Sequence, residues 1–261
     1  MSSSSSGLAS ASSSGWRADG VISASFRQRF RASIEAPVAR VFVRTGLSPN
    51  ALTLIGFAIA VVGAGFAAVQ SWLLAGLIVA FGAVFDLFDG ALARATGKTS
   101  KFGAFLDSTM DRAGEAVVYI GIAIGALAAG LEGIALIAAC ALPAAFMVSY
   151  TRAKSESLGF SSGTGMASVG LAPREVRTVL LVVGLIVVGF LGGIGAWTTD
   201  CARLLSANQP GGACATNHYQ AADIVLGGAL GLIAVLATIT TIQRIYFVYR
   251  QSQSANQEAQ K

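Results

Sequence analysis

Runs of about 20 apolar residues recur along this 261-residue chain, and each is long enough to cross the hydrocarbon core of a bilayer as a helix. No other feature narrows the fold so far. In lipid every backbone polar group must be satisfied within the protein, which leaves helices as the solution for segments of this length. Six segments qualify, at about 51–70, 72–94, 103–129, 133–152, 176–197 and 221–247. Only 12% of the residues are charged and 54% are hydrophobic, against about 25% charge in a soluble domain. The expected fold is therefore all-α: a polytopic integral membrane protein with six transmembrane helices. The 31 glycines suit membrane helices that approach closely through small side chains.

Lysine and arginine placement predicts the topology. The region before the first span carries Arg27, Arg29, Arg31, Arg40 and Arg44; the second-to-third connection carries Arg94, Lys98 and Lys101. Arg152, Lys154, Arg174 and Arg177 fall in the fourth-to-fifth connection, and Arg244, Arg250 and Lys261 near the C-terminal end. With six spans all of these share one side, while the opposite connections hold only Arg203. That basic side is the cytoplasm, with both termini on it, in a protein of the cytoplasmic membrane. The net charge of +5 is spread over juxtamembrane loops, which argues against a nucleic-acid partner.

Four parts are expected. Residues 1–20 begin as a low-complexity Ser/Gly stretch and read as disordered, with no signal peptide evident. Residues 21–47 include Phe26, Phe30, Ile34, Val38 and Val41 at helical spacing with arginines between them, the pattern of an interfacial amphipathic helix. Residues 48–250 hold the six spans, the first starting where Ser48 can cap and Pro49 suits the first turn. Residues 251–261 are a polar tail. Cys140 lies inside the fourth span as packing; Cys201 and Cys214 share an outer connection and can close a disulfide if it faces an oxidising space. His218 in that connection has no companions to complete a metal site.

Against this background, "FDLFDGALARATGKTSKFGAFLDSTMDR" (residues 85–112) contains four of the chain's 13 acidic residues. Asp86 and Asp89 are three apart late in the second span; Asp107 and Asp111 are four apart early in the third. Each pair forms a stripe on one helix face. The two spans run antiparallel through a short polar connection, so the stripes reach the same depth near the cytoplasmic surface and can face each other. Each ionised aspartate at a membrane-helix centre costs roughly 2.5–3.5 kcal/mol, and four close carboxylates repel one another. Divalent cations relieve both penalties, and an all-oxygen donor set suits Mg²⁺ or Mn²⁺. Two such ions would clamp a phosphate or diphosphate. The competing readings are ion pairs with Arg94, Lys98, Lys101 or Arg112, or a cation-coupled membrane carrier; the sequence lacks the repeated halves of a carrier.

The pattern Asp-x2-Asp-Gly-x2-Ala-Arg-x8-Gly-x3-Asp-x3-Asp, here Asp86, Asp89, Gly90, Ala93, Arg94, Gly103, Asp107 and Asp111, resembles the signature of the CDP-alcohol phosphotransferases. The resemblance implies a transferase of phospholipid biosynthesis, with Asp86, Asp89, Asp107 and Asp111 as ligands of two divalent ions and Asp111 also as general base. It implies that Gly90 and Arg94 hold the nucleotide diphosphate. Pro49, Asn50, Ala51, Leu52, Ala93, Ser100 and Gly103 would complete the CDP-lipid site. A homodimer is expected on the same ground. The acceptor is read further on. "SYTRAKSESLG" resembles "SYTRARAE" in the inositol-phosphate-using members, the phosphatidylinositol phosphate and archaetidylinositol phosphate synthases. Arg174 and Arg177 stand in "APREVR" for that group's paired arginines, with Pro173 in place of the usual glutamate. The expected reaction moves the phosphatidyl group of CDP-diacylglycerol to inositol 1-phosphate, with Arg152, Lys154, Arg174 and Arg177 around the acceptor phosphate. Glycerol 3-phosphate, the acceptor of a phosphatidylglycerol phosphate synthase, is the rival.

Overall fold

The computed structural model of the chain describes residues 47–95, 99–160, 170–194 and 221–259. Six α-helices are formed by these residues, and no strand. They are α1 (Pro49–Ala68), α2 (Trp72–Ala95), α3 (Lys101–Ala128), α4 (Glu132–Ser157), α5 (Arg174–Phe190) and α6 (Ala221–Ala259). The Ser-rich start, the interfacial helix, Cys201, Cys214 and His218 lie outside the described residues.

Local chemistry starts these helices where expected. Ser48 caps α1, its Oγ accepting the Ala51 N–H at 3.2 Å, with Pro49 in the first turn. Ser100 caps α3 by accepting the Gly103 N–H at 2.9 Å. Two ends differ from expectation. α5 stops at Phe190, short of residue 197, because Gly192 and Gly193 turn the chain in left-handed conformations that favour glycine. α6 runs on through "QSQSANQEA" to Ala259, so the expected polar tail is largely helical. That stretch has no glycine or proline to stop a helix.

Among the described residues α1, α4 and α6 through Ser254 are long and apolar enough to cross a membrane. The described side chains of α2, from Trp72 to Asp86, form a shorter apolar stretch. α3 carries Lys101, Asp107, Asp111, Arg112 and Glu115 in its first half, and α5 has 17 residues. The chain reads as an integral membrane protein.

The helices pack as a closed ring in the order α1, α2, α5, α6, α4, α3 and back to α1. α2 and α3 are consecutive in sequence, yet each packs on α1 rather than along the other. The cause is small residues: Gly121 and Gly125 of α3 lie so close to α1 that a Cβ on either would overlap the carbonyl of Ala64 or Ala67. A shared core, including Tyr119, Ile122, Ala138, Leu185, Leu226 and Ile233, fills the ring. Large apolar side chains such as Val61, Leu77, Phe81 and Leu136 face outward, as they should in hydrocarbon.

Candidate active site

α1, α2, α3 and α5 surround a cavity lined by Thr53, Gly56, Asp86, Asp111, Glu115 and Arg174, among others. Asp86 reaches it from the middle of α2 and Asp111 from α3. Between them stands Arg174, the first residue of α5. Its Nη2 donates to Asp86 Oδ2 and its Nη1 pairs with Asp111 Oδ2, both at 2.7 Å. The two carboxylates from separate helices thus converge on one guanidinium, whose planar fork presents its N–H groups in parallel. Arg112 adds a looser pair with Asp111 at 3.3 Å, and also donates to the Ser108 carbonyl at 3.0 Å.

The approach of α2 to this point depends on a residue that sequence reasoning did not single out. A Cβ at Gly56 on α1 would lie 2.6 Å from Asp86 Oδ1. Gly56→Ala must therefore push the Asp86 carboxylate aside. A displacement near 1 Å at reacting groups can cost on the order of 100-fold in rate. The expected result is a turnover loss of at least about tenfold with little change in thermal midpoint; wild-type turnover would show that the carboxylate's place is not critical.

Below Arg174, one turn along α5, Arg177 is 1% exposed. Its Nε and Nη2 donate to the two oxygens of Glu115, each at 2.8 Å, and its Nη1 to the Ala172 carbonyl at 3.0 Å. Glu115 is likewise a residue that the sequence analysis passed over. The signal was present: it sits four residues after Asp111, on the same α3 stripe. A sequence cannot say that its partner stands 62 residues later.

The remaining expected residues fall into separate groups. Asn50 Oδ1 and Ser100 Oγ both lie against Gly103, 3.1 and 3.0 Å from where its Cβ would be, so the starts of α1 and α3 meet. Leu52 is buried in the helix packing at 1% exposure. Asp107 is half-buried one turn before Asp111. Arg152, in the last turns of α4, is exposed and pairs with Glu156 at 2.8 Å, and Lys154 is exposed beside it. The four cations expected around the acceptor are thus not one cluster: Arg174 joins the aspartates, Arg177 is taken by Glu115, and Arg152 with Lys154 lies on the surface. The side chains at Asp89, Ala93 and Arg94, with Gly90, lie outside the described residues.

Among the described residues no three carboxylate, histidine or cysteine groups are drawn together as an ion-binding cluster. The donor set nonetheless fits a hard divalent cation. Asp86 and Asp111 present oxygens to one positive charge, and Asp107 follows the same α3 stripe, while among the described residues neither cysteine nor histidine lines the cavity.

Residues 46–207 match the CDP-alcohol phosphatidyltransferase family. The archaetidylinositol phosphate synthase of Pyrococcus horikoshii is 36% identical over 190 residues, covering 69% of this chain and 96% of that protein. The phosphatidylinositol phosphate synthase of Streptomyces avermitilis is 32% identical over 233 residues, 88% of this chain and 84% of the relative. Among solved structures, the phosphatidylinositol phosphate synthase of Mycobacterium tuberculosis with CDP-DAG bound is similar at a TM-score of 0.65 and 26% identity, covering 83% of this chain and 94% of that one. The same enzyme has also been solved in complex with manganese and citrate, at a TM-score of 0.63. The helical ring, the aspartates on its second and third helices and these matches lead to one statement: the chain belongs to the CDP-alcohol phosphatidyltransferase family.

Proposed function

We propose that the chain transfers the phosphatidyl group of CDP-diacylglycerol to the hydroxyl of inositol 1-phosphate, giving phosphatidylinositol phosphate and CMP. One observation carries the proposal. Arg174, from the stretch that resembles the inositol-phosphate-using enzymes, meets Asp86 and Asp111 of the donor motif at a single point. A cation placed there can hold the phosphate of a phosphorylated polyol next to the reacting groups. The relatives named as phosphatidylinositol phosphate and archaetidylinositol phosphate synthases support the same acceptor.

In this reading Asp86, Asp89, Asp107 and Asp111 hold two divalent ions, Mg²⁺ or Mn²⁺. When bound, such ions offset the charge of the diphosphate and polarise the phosphorus toward attack. Asp111 takes the proton of the acceptor hydroxyl; the hydroxyl oxygen bonds to the phosphorus that carries diacylglycerol, and the bond to the CMP oxygen breaks. Pro49, Asn50, Ala51 and Leu52, with Ser100 and Gly103, serve the CDP-lipid site together with Gly90, Ala93 and Arg94. Arg174 holds the acceptor phosphate, with Arg152 and Lys154 drawing the anion in from the surface. Arg177 serves the fold through Glu115. All six helices span the membrane, with both termini and the site at the cytoplasmic face, an interfacial helix before α1, and a homodimer as the assembly.

The test is to give purified protein CDP-diacylglycerol with inositol 1-phosphate, inositol, glycerol 3-phosphate or serine, and to measure CMP. Release is expected with inositol 1-phosphate alone. Release with glycerol 3-phosphate but not inositol 1-phosphate overturns the acceptor, and no release with any of the four overturns the reaction.

A further inference from the structure

The backbone that leads into α5 is held by α6, a helix that contributes no side chain to the lining of the cavity. Thr240 on α6 is fully buried. Its Oγ accepts the N–H groups of both Leu171 and Ala172, each at 3.0 Å. A hydroxyl oxygen has two lone pairs, so both are spent on this one stretch. Gly170 lies in the left-handed region at φ +123°, and a Cβ there would overlap the Thr240 γ-methyl. Ala172 then gives its carbonyl to Arg177, so both of its backbone polar groups end on side chains of two different helices. Pro173 follows with φ −60°, and Arg174 is the next residue. Ala172 is fully buried, so its amide has no water to turn to if the Thr240 oxygen is lost.

We propose that Thr240 is a positioning residue for the acceptor half of the reaction. It fixes the three residues before α5 and, through them, the place from which Arg174 reaches Asp86 and Asp111. The proposal rests on the reading of Arg174 as the ligand of the acceptor phosphate. Arg174 is a long side chain whose reach is set by its Cα, so a shift of its anchor moves the guanidinium off the phosphate while the donor residues of α1 and α3 stay in place.

Thr240→Val keeps the methyl and removes the acceptor oxygen; Thr240→Ser keeps the oxygen. Thr240→Val is expected to raise KM for inositol 1-phosphate about tenfold, a modest misplacement effect, and to leave KM for CDP-diacylglycerol within about twofold of wild type. Thr240→Ser restores the acceptor KM. Hydrogen exchange gives a readout independent of turnover: the Leu171 and Ala172 amides exchange at least about tenfold faster in Thr240→Val than in wild type or Thr240→Ser, as freed amides do. If Thr240→Val does not survive purification, Gly170→Ala disturbs the same contact from the other side and must show the same split. An unchanged acceptor KM, equal rises in both KM values, or unchanged exchange at 171–172 overturns the proposal. Absence of CMP release by the wild type with every acceptor defeats the functional reading instead, and the exchange comparison then decides the Thr240 contact alone.

Discussion

Asp111→Asn is expected to slow CMP release by about 10²–10⁴-fold, the range that a positioned general base contributes. The change is nearly isosteric, and the asparagine carbonyl still accepts from Arg174, so α3 keeps its place between α1 and α4. What is lost is the ability to take a proton and the charge that helps hold a cation. The two losses separate by titrating Mn²⁺. Recovery at high Mn²⁺ means that Asp111 acts as a ligand only; a deficit that persists at saturating metal marks the lost base. Turnover within tenfold of wild type at ordinary metal concentration would remove Asp111 from the reaction.

Arg177→Met carries the largest expected effect on stability. Its guanidinium is 1% exposed and makes two hydrogen bonds to Glu115 and one to the Ala172 carbonyl. Removing one partner of a buried ion pair strands the other charge, at about 3–5 kcal/mol. In a chain of this size that corresponds to a fall in thermal midpoint of roughly 6–20 °C, measurable on detergent-purified protein. The companion variant Glu115→Gln/Arg177→Met leaves no stranded charge and is expected to recover at least half of the loss. If Arg177 instead held the acceptor phosphate, Arg177→Met would raise the acceptor KM and leave the midpoint within about 2 °C. That outcome would return Arg177 to the pocket in which its spacing from Arg174 first placed it.

The contrast between Arg174 and Arg177 illustrates what a sequence can and cannot carry here. Chemistry that is local in the chain was legible: the Ser48 cap, the apolar lengths of α1, α4 and α6, and the spacing that puts Asp107 and Asp111 on one face. Periodicity tells which face a residue occupies and not which helix covers that face. So α2 and α3, neighbours in sequence, bring Asp86 and Asp111 to one point, but the helix on which each of them packs is α1, which no spacing reveals. Glu115 went unread for the same reason: its role is defined by an arginine in a different helix. The basic residues at the end of α4 and the start of α5 were legible as a group, but charge alone could not divide them between Asp86, Glu115, Glu156 and solvent.

The meeting of Arg174 with Asp86 also sets an order of events during synthesis. The two residues are 88 apart, and a ribosome adds about 5–20 residues per second. Asp111 is 63 residues before the arginine, so for about 3–13 s at that pace both carboxylates have been made while the arginine that joins them has not. Through that interval the nascent carboxylates must find neutralisation in protons, solvent or ions at the membrane surface. The ring of helices closes only when α6 arrives between α5 and α4. A chain cut short before Pro173 would carry the acids of the donor motif without the arginine that joins them.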